Sequence, residues 1–234
     1  MIRKLTHFWS EEHSLSVFLS LLLVEMFVLT PVVRGGIALD LASSLLFSLL
    51  LLAGVLTVVR RRTLQWTTGL FVLLAIAIRW AGMVFGAPGL LLWDAMLSLL
   101  AILAFLLIIV WWVYREGPVT GHRVRGAVAA YLLLAVCFSL AYNLTEYVHP
   151  GSFTLPPGAA VGIQTRSASF LYFSVVTLTT VGFGDIAAVH PVARSLVMVE
   201  ALVGALYPAI LLARIVTLEM ETRRSRGGRK DGEA

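Results

Sequence analysis

Charge is what this sequence has least of. Of its 234 residues only 13% are Asp, Glu, Lys or Arg, about half the share that a soluble domain carries. That scarcity excludes an ordinary soluble domain. Cysteine is nearly absent too. The single Cys137 cannot form an intrachain disulfide or a Cys-based metal cluster. No nucleotide-phosphate loop or catalytic triad is recognisable, so no enzyme is expected. The abundant class is apolar, at 59% of residues, and that excess excludes intrinsic disorder.

The apolar residues fall into six runs: 14–33, 37–59, 64–85, 89–114, 127–147 and 191–218. A membrane-spanning helix needs about 20 predominantly apolar residues. The pattern therefore predicts an all-α, polytopic membrane protein with six transmembrane helices. A seventh apolar stretch, 166–180, is too short to span and reads as a re-entrant segment. The organisation expected is an N-terminal interfacial segment (1–13), a four-helix unit (14–114), a basic linker (115–126), a second membrane unit (127–218) and a short tail (219–234). Residues 150–165, with Pro156-Pro157-Gly158, read as an outer loop. The tail reads as a frayed helix end followed by disorder, too short for a cytosolic ligand-binding domain within this chain. The first run lacks a small-residue cleavage site, so no signal peptide is expected.

Orientation follows from the basic residues. With the N-terminus inside, fourteen of the eighteen Lys and Arg lie at cytosolic ends and loops, and only Arg34, Arg79, Arg166 and Arg194 lie in the outer half. The expected topology is a multi-pass protein of the plasma or inner membrane with both termini cytoplasmic. The net charge of +5 is then topogenic and faces lipid headgroups, including anionic ones. It needs no nucleic-acid partner.

The strongest signal is Thr177-Leu178-Thr179-Thr180-Val181-Gly182-Phe183-Gly184-Asp185, at the end of the re-entrant segment. A cation shedding its water needs oxygen ligands in place of the hydration shell. A stack of backbone carbonyls supplies them if the backbone alternates between left- and right-handed conformations. Gly182 and Gly184 take the left-handed ones without a Cβ penalty. Thr180 adds a hydroxyl oxygen, and Val181 and Phe183 turn their side chains away from the axis. Irregular backbone at membrane depth is tolerated only where it is buried or lines water.

This string resembles the selectivity filter of the potassium-channel family of tetrameric cation channels, with a short helix (167–179) in front of it and a last span behind. The resemblance covers roughly residues 127–218. It implies a homotetramer in which Thr180, Val181, Gly182 and Phe183 coordinate K+ ions, the only bound species expected. Thr177, Thr179, Tyr172, Phe173, Val176 and Asp185 would support the filter. Three departures stand out. Phe183 replaces the commoner Tyr and has no hydroxyl with which to brace the filter. Tyr172-Phe173 replaces a tryptophan pair. Val176 stands where some members carry Glu, so it offers Asp185 no carboxyl partner. Selectivity rests on backbone oxygens and is expected to survive these changes, which bear instead on filter rigidity.

In the last span, Pro208 lacks an N–H and crowds the carbonyl of Gly204, which predicts a bend. The resemblance implies a gate there. Gly204–Pro208 is either its hinge or a static kink. Four ionisable residues lie inside spans: Glu25, Arg79, Asp94 and Glu200. Such residues are costly in lipid and need partners. At 1.5 Å rise per residue, Glu25 and Arg79 differ in depth by about 6 Å, and Asp94 lies level with Arg79 near the outer side. An Arg79–Asp94 pair with Glu25 in reach is expected, as a structural ion pair or as a proton-sensitive site. Arg194 is not at helical contact spacing from Glu200, so a partner for Glu200 on the re-entrant helix or a neighbouring subunit is expected.

Six spans with the filter last resemble the voltage-gated arrangement, whose sensors carry Arg or Lys at every third position of the fourth span. Residues 89–114 contain no Arg or Lys, so voltage gating is not expected. The expected function is passive, potassium-selective conduction. The alternatives are a nonselective or sodium-permeable channel of the same fold, and a non-conducting subunit.

Overall fold

The computed structural model describes residues 14–29, 37–58, 62–86, 88–115, 121–156 and 163–230. The N-terminal segment 1–13, linker residues 116–120, outer-loop residues 157–162 and the last four residues lie outside the described residues, and so do the expectations placed on them.

Among the described residues, seven α-helices follow one another in chain order. α1, Ser14–Val24, continues as a π-helical turn, Glu25–Leu29. α2 is Ile37–Val58, α3 Arg62–Phe85 and α4 Pro88–Tyr114. α5 is Gly121–Val148, α6 Ile163–Leu178 and α7 Pro191–Lys230. A two-residue antiparallel ribbon, β1 (Phe153–Thr154) with β2 (Ala187–Ala188), pairs Phe153 with Ala188 and Thr154 with Ala187. The protein is thus an all-α membrane protein. Among the described residues, four stretches are long and apolar enough to cross a membrane: Gln65–Phe85, Gly89–Tyr114, Arg123–Val148 and Pro191–Arg214. The first two candidate spans hold shorter apolar helices, Leu15–Val28 and Leu41–Leu56.

Local chemistry explains where helices stop and start. Gly86 closes α3 with φ of 62°, donating its N–H to the Gly82 carbonyl at 2.9 Å; a left-handed residue there is the common C-terminal cap. Pro88 then opens α4 with its φ preset for a first helical position. The far end of α4 presents carbonyls without intrahelical partners. Arg214 of α7 donates to Tyr114 O at 2.5 Å and to Arg115 O at 3.2 Å, and Arg123 of α5 donates to Arg115 O at 2.9 Å.

One apolar core joins the two membrane units. It contains Phe18 and Leu22 of α1, Leu50 and Leu51 of α2, Ile102 and Phe105 of α4, Leu133 of α5 and Leu178 of α6, all nearly or wholly inaccessible. Gly54 lets α2 and α4 approach, since a Cβ there would meet the Phe105 ring at 2.5 to 2.9 Å. A second cluster lies under the ribbon: Tyr142, Phe153, Phe170, Phe173, Ile186 and Ala193.

Three expectations change. The re-entrant helix is Ile163–Leu178 rather than 167–179, so Thr179 and Thr180 form a turn. α5 begins at Gly121, inside the segment read as linker. The chain after Leu218, read as fraying into disorder, is helical to Lys230. That stretch is rich in Arg and Glu, which lose little rotamer freedom in a helix, and the helix simply propagates out of the span.

Candidate functional site: the filter segment and its supports

The filter segment is built on the end of α6. Thr179 N–H returns to Val175 O at 3.0 Å and Thr180 N–H to Thr177 O at 2.9 Å. The Val176 carbonyl accepts two filter amides, from Val181 at 3.0 Å and Gly182 at 3.3 Å. Thr179 Oγ1 closes the turn on Val175 O at 2.7 Å. Val176 thus contributes a backbone carbonyl to the filter, whereas the sequence suggested its side chain as the relevant feature.

Beyond this turn the backbone alternates. Thr180, Gly182 and Gly184 have φ of 61°, 55° and 78°, while Val181 and Phe183 are not at positive φ. The two glycines adopt that region freely. Thr180 does not. A β-branched residue at positive φ is an outlier, strained by roughly 1–3 kcal/mol, and no composition signal announces it.

Val181 and Phe183 turn away from their own chain's core, being 55% and 69% exposed. Tyr172 stands behind them. Its ring stacks on Phe183 with centroids 6.4 Å apart and planes 4° apart, and its hydroxyl is within interaction range of the Asp185 carboxylate. Tyr172 therefore backs Phe183, which has no hydroxyl of its own to brace it. Phe173 packs instead in the second cluster, at 5.3 Å from the Tyr142 ring. Thr177 gives the carbonyl to Thr180 and lines, with Val176 and Thr180, a cavity of about 610 Å³ between the filter and α7.

The segment that follows the filter string is pinned separately. Glu146 at the end of α5 accepts from Gly151 N–H at 2.8 Å and Phe153 N–H at 3.2 Å, which holds β1 in place to pair with β2 just after the filter. His149 and His190 stack at 4.5 Å between ring centroids, joining the outer ends of α5 and α7. Arg194 donates to Ala188 O at 3.2 Å and so also pins this segment.

Glu200 is wholly inaccessible and bridges two elements. Its Oε2 accepts from the Tyr142 hydroxyl of α5 and its Oε1 meets the Ser174 hydroxyl of α6. Tyr142 and Ser174 escaped the sequence reading. The signal that finds them is a polar residue inside an apolar run at the depth of a costly carboxyl. Gly204, one turn further along α7, lies against α6. A Cβ there would overlap the Leu178 carbonyl oxygen and reach its C and Cα at 2.9 Å, and the same oxygen accepts from Tyr131 at 3.0 Å. Gly204 is thus a close-approach glycine, and α7 runs as one helix through Pro208. Gly204→Ala is expected to force α6 and α7 apart, destabilising the assembled protein by about 1–3 kcal/mol. A lowered thermal midpoint in detergent checks this.

The remaining intramembrane charges form a separate group in the first four helices. Arg79 Nε donates to Asp94 Oδ1 at 3.1 Å. Ser98 joins both, at 3.4 Å from Arg79 Nη2 and 3.2 Å from Asp94 Oδ1. The guanidinium lies 4.1 Å over the Phe47 ring, a cation–π contact that is strengthened by desolvation. Glu25, first residue of the π turn, feels the Arg79 charge. Glu200 is not part of this group.

Comparison with known proteins finds similarity over this part of the chain. Residues 129–221 match the family model described as "Ion channel". The chain is 33% identical over 98 residues to "Two pore potassium channel c" of Oryza sativa subsp. japonica, covering 42% of this chain and 21% of that protein. It is 34% identical over 89 residues to "Inward rectifier potassium channel Kirbac3.1" of Paramagnetospirillum magnetotacticum, covering 36% of this chain and 25% of that one. It is 32% identical over 87 residues to "Protein LctB" of Bacillus caldotenax, covering 37% of this chain and 64% of that one. The chain therefore spans from about a fifth to under two thirds of the length of these relatives. No solved structure matches it significantly. The matched stretch takes in α6, the string 177–185 and most of α5 and of the apolar part of α7.

Proposed function

We propose that four copies of this chain surround one axis and conduct K+ passively and selectively across a cell membrane. The observation that carries this reading is the filter backbone, with positive φ at Thr180, Gly182 and Gly184 and not at the residues between. Alternation of that kind turns successive carbonyls to one side. Four chains then offer rings of oxygens from Thr180, Val181, Gly182 and Phe183, with the Thr180 hydroxyl at the inner mouth. Each ring replaces part of the hydration shell of a K+ ion, and several weak sites in series let ions leave as readily as they enter. The C-terminal end of α6 carries the negative end of its helix dipole and favours a cation in the cavity below.

The tetramer has support in what one chain leaves uncovered. Beside exposed Val181 and Phe183, α7 presents Met198 at 72%, Leu202 at 61% and Ile210 at 51% exposure. A neighbouring copy and lipid together would cover that stripe. All six apolar runs span the membrane in this reading, with both termini cytoplasmic and the inner Arg residues against lipid headgroups. Residues 89–114 carry no Arg or Lys. Moving a charge through the field supplies about 2.3 kcal/mol per 100 mV, so voltage does little work on this fourth helix.

The test is ion flux from proteoliposomes holding the full chain. K+ efflux well above Na+ efflux is the expected result. Equal efflux of the two removes selectivity, and no efflux under any gradient favours a non-conducting subunit.

A further inference from the structure

We propose that Glu200 is a positioning residue for the filter: through Ser174 it holds the last turn of α6, and with Gly204 it forms a two-point latch between α7 and α6. This deepens, and rests on, the reading of the chain as a potassium-selective channel.

The two contacts are in register. Glu200 and Gly204 are four residues apart on α7, and Ser174 and Leu178 are four apart on α6, so each pair lies on one helix face a turn apart. At the first point the Glu200 carboxyl meets the Ser174 hydroxyl. At the second, Gly204 lies against the Leu178 carbonyl without room for a methyl group. Tyr142 and Tyr131, both on α5, reinforce the two points in turn, by hydrogen bonds to Glu200 and to Leu178 O.

Between these points on α6 lies Val176, whose carbonyl receives the amides of Val181 and Gly182. At about 1.5 Å per residue, Val176 is roughly 3 Å along the axis from either latch point. A shift of α6 along α7 therefore carries the Val176 carbonyl with it and drags two filter amides. An apolar residue at position 200 would fill the same space without a carboxyl inside a span, where ionisable groups are costly and mark function. The latch also gives Pro208 a route to the filter, because Pro208 leaves the Gly204 carbonyl without its helical donor at the second latch point.

Substitutions separate positioning from folding. Ser174 Oγ lies 2.8 Å from Ala135 O as well as beside Glu200. A Gln amide at 200 accepts from Tyr142 and donates to Ser174, which still donates to Ala135, so Glu200→Gln keeps every bond. Glu200→Ala breaks both carboxyl bonds, and Ser174→Ala removes the α6 end of the latch together with the bond to Ala135 O.

The experiment measures the K+/Na+ permeability ratio and the tetramer fraction for the full chain in proteoliposomes. Glu200→Gln is expected to keep the wild-type ratio. Ser174→Ala and Glu200→Ala are expected to lower it by about tenfold, the size of effect a lost buried hydrogen bond gives, with the tetramer still present. If Glu200→Ala fails to assemble, Ser174→Ala carries the test, since it keeps the carboxyl and its Tyr142 bond. An unchanged ratio in Ser174→Ala, with K+ preferred by the wild type, overturns the latch alone. A wild-type chain without K+ preference overturns the functional reading, and the latch with it.

Discussion

Gly182→Ala is expected to abolish K+-selective flux while leaving an assembled tetramer. Gly182 has φ of 55°, and an L-residue with a Cβ in that region is strained by about 1–2 kcal/mol. In the proposed tetramer four copies raise this to roughly 4–8 kcal/mol, enough to make another backbone path the stable one. The Gly182 carbonyl then leaves the axis and a ring of four oxygens goes with it. Assembly is spared because a Cβ at Gly182 meets nothing within 4 Å in its own chain, so the penalty is conformational rather than steric. Size-exclusion chromatography and flux on the same preparation separate the two effects. Retained K+ preference in Gly182→Ala would show that the glycine's left-handed backbone is not needed.

Arg79→Leu is expected to reduce the yield of folded protein sharply. It leaves the Asp94 carboxylate, now 3.1 Å from Arg79 Nε, inside the membrane without its cation. Breaking a buried pair by removing one partner destabilises by about 3–5 kcal/mol. The loss also removes the guanidinium from the Phe47 ring and its charge from Glu25. Replacing both members, Arg79→Leu with Asp94→Leu, is expected to recover much of the yield, because two apolar side chains leave no uncompensated charge. Thermal unfolding in detergent reads both variants. Normal yield of Arg79→Leu together with altered pH dependence of flux would instead assign the group a proton-sensing role.

Much of this was legible in the sequence because membranes restrict the options. Apolar run lengths read directly as the helices of a membrane protein, four of which, among the described residues, are long and apolar enough to span. The Arg79–Asp94 juxtaposition follows from span arithmetic, since both lie near the outer ends of consecutive runs. The need of Glu200 for a partner on the re-entrant helix follows from the cost of a carboxyl in lipid, and Ser174 is that partner. The string 177–185 is legible because few residue types permit alternating backbone handedness.

Other features were not legible, for physical reasons. Thr180 has little intrinsic tendency to positive φ, and the hydrogen bonds around it impose the strain. The Val176 carbonyl acts through the backbone, to which its side chain gives no clue. Gly204 beside Pro208 reads as a hinge or a static kink, and its small size is also used against Leu178, a contact across 26 positions that periodicity along one helix cannot show. The stacking of Tyr172 on Phe183 joins a helix to an irregular segment, a pairing that no periodicity along the chain announces.

The most direct measurement of the central claim is the reversal potential of single channels in a planar bilayer with K+ on one side and Na+ on the other. The account predicts a shift of about 59 mV for each tenfold preference for K+, and a shift of at least that size. Currents that reverse near zero under the same gradient would contradict it.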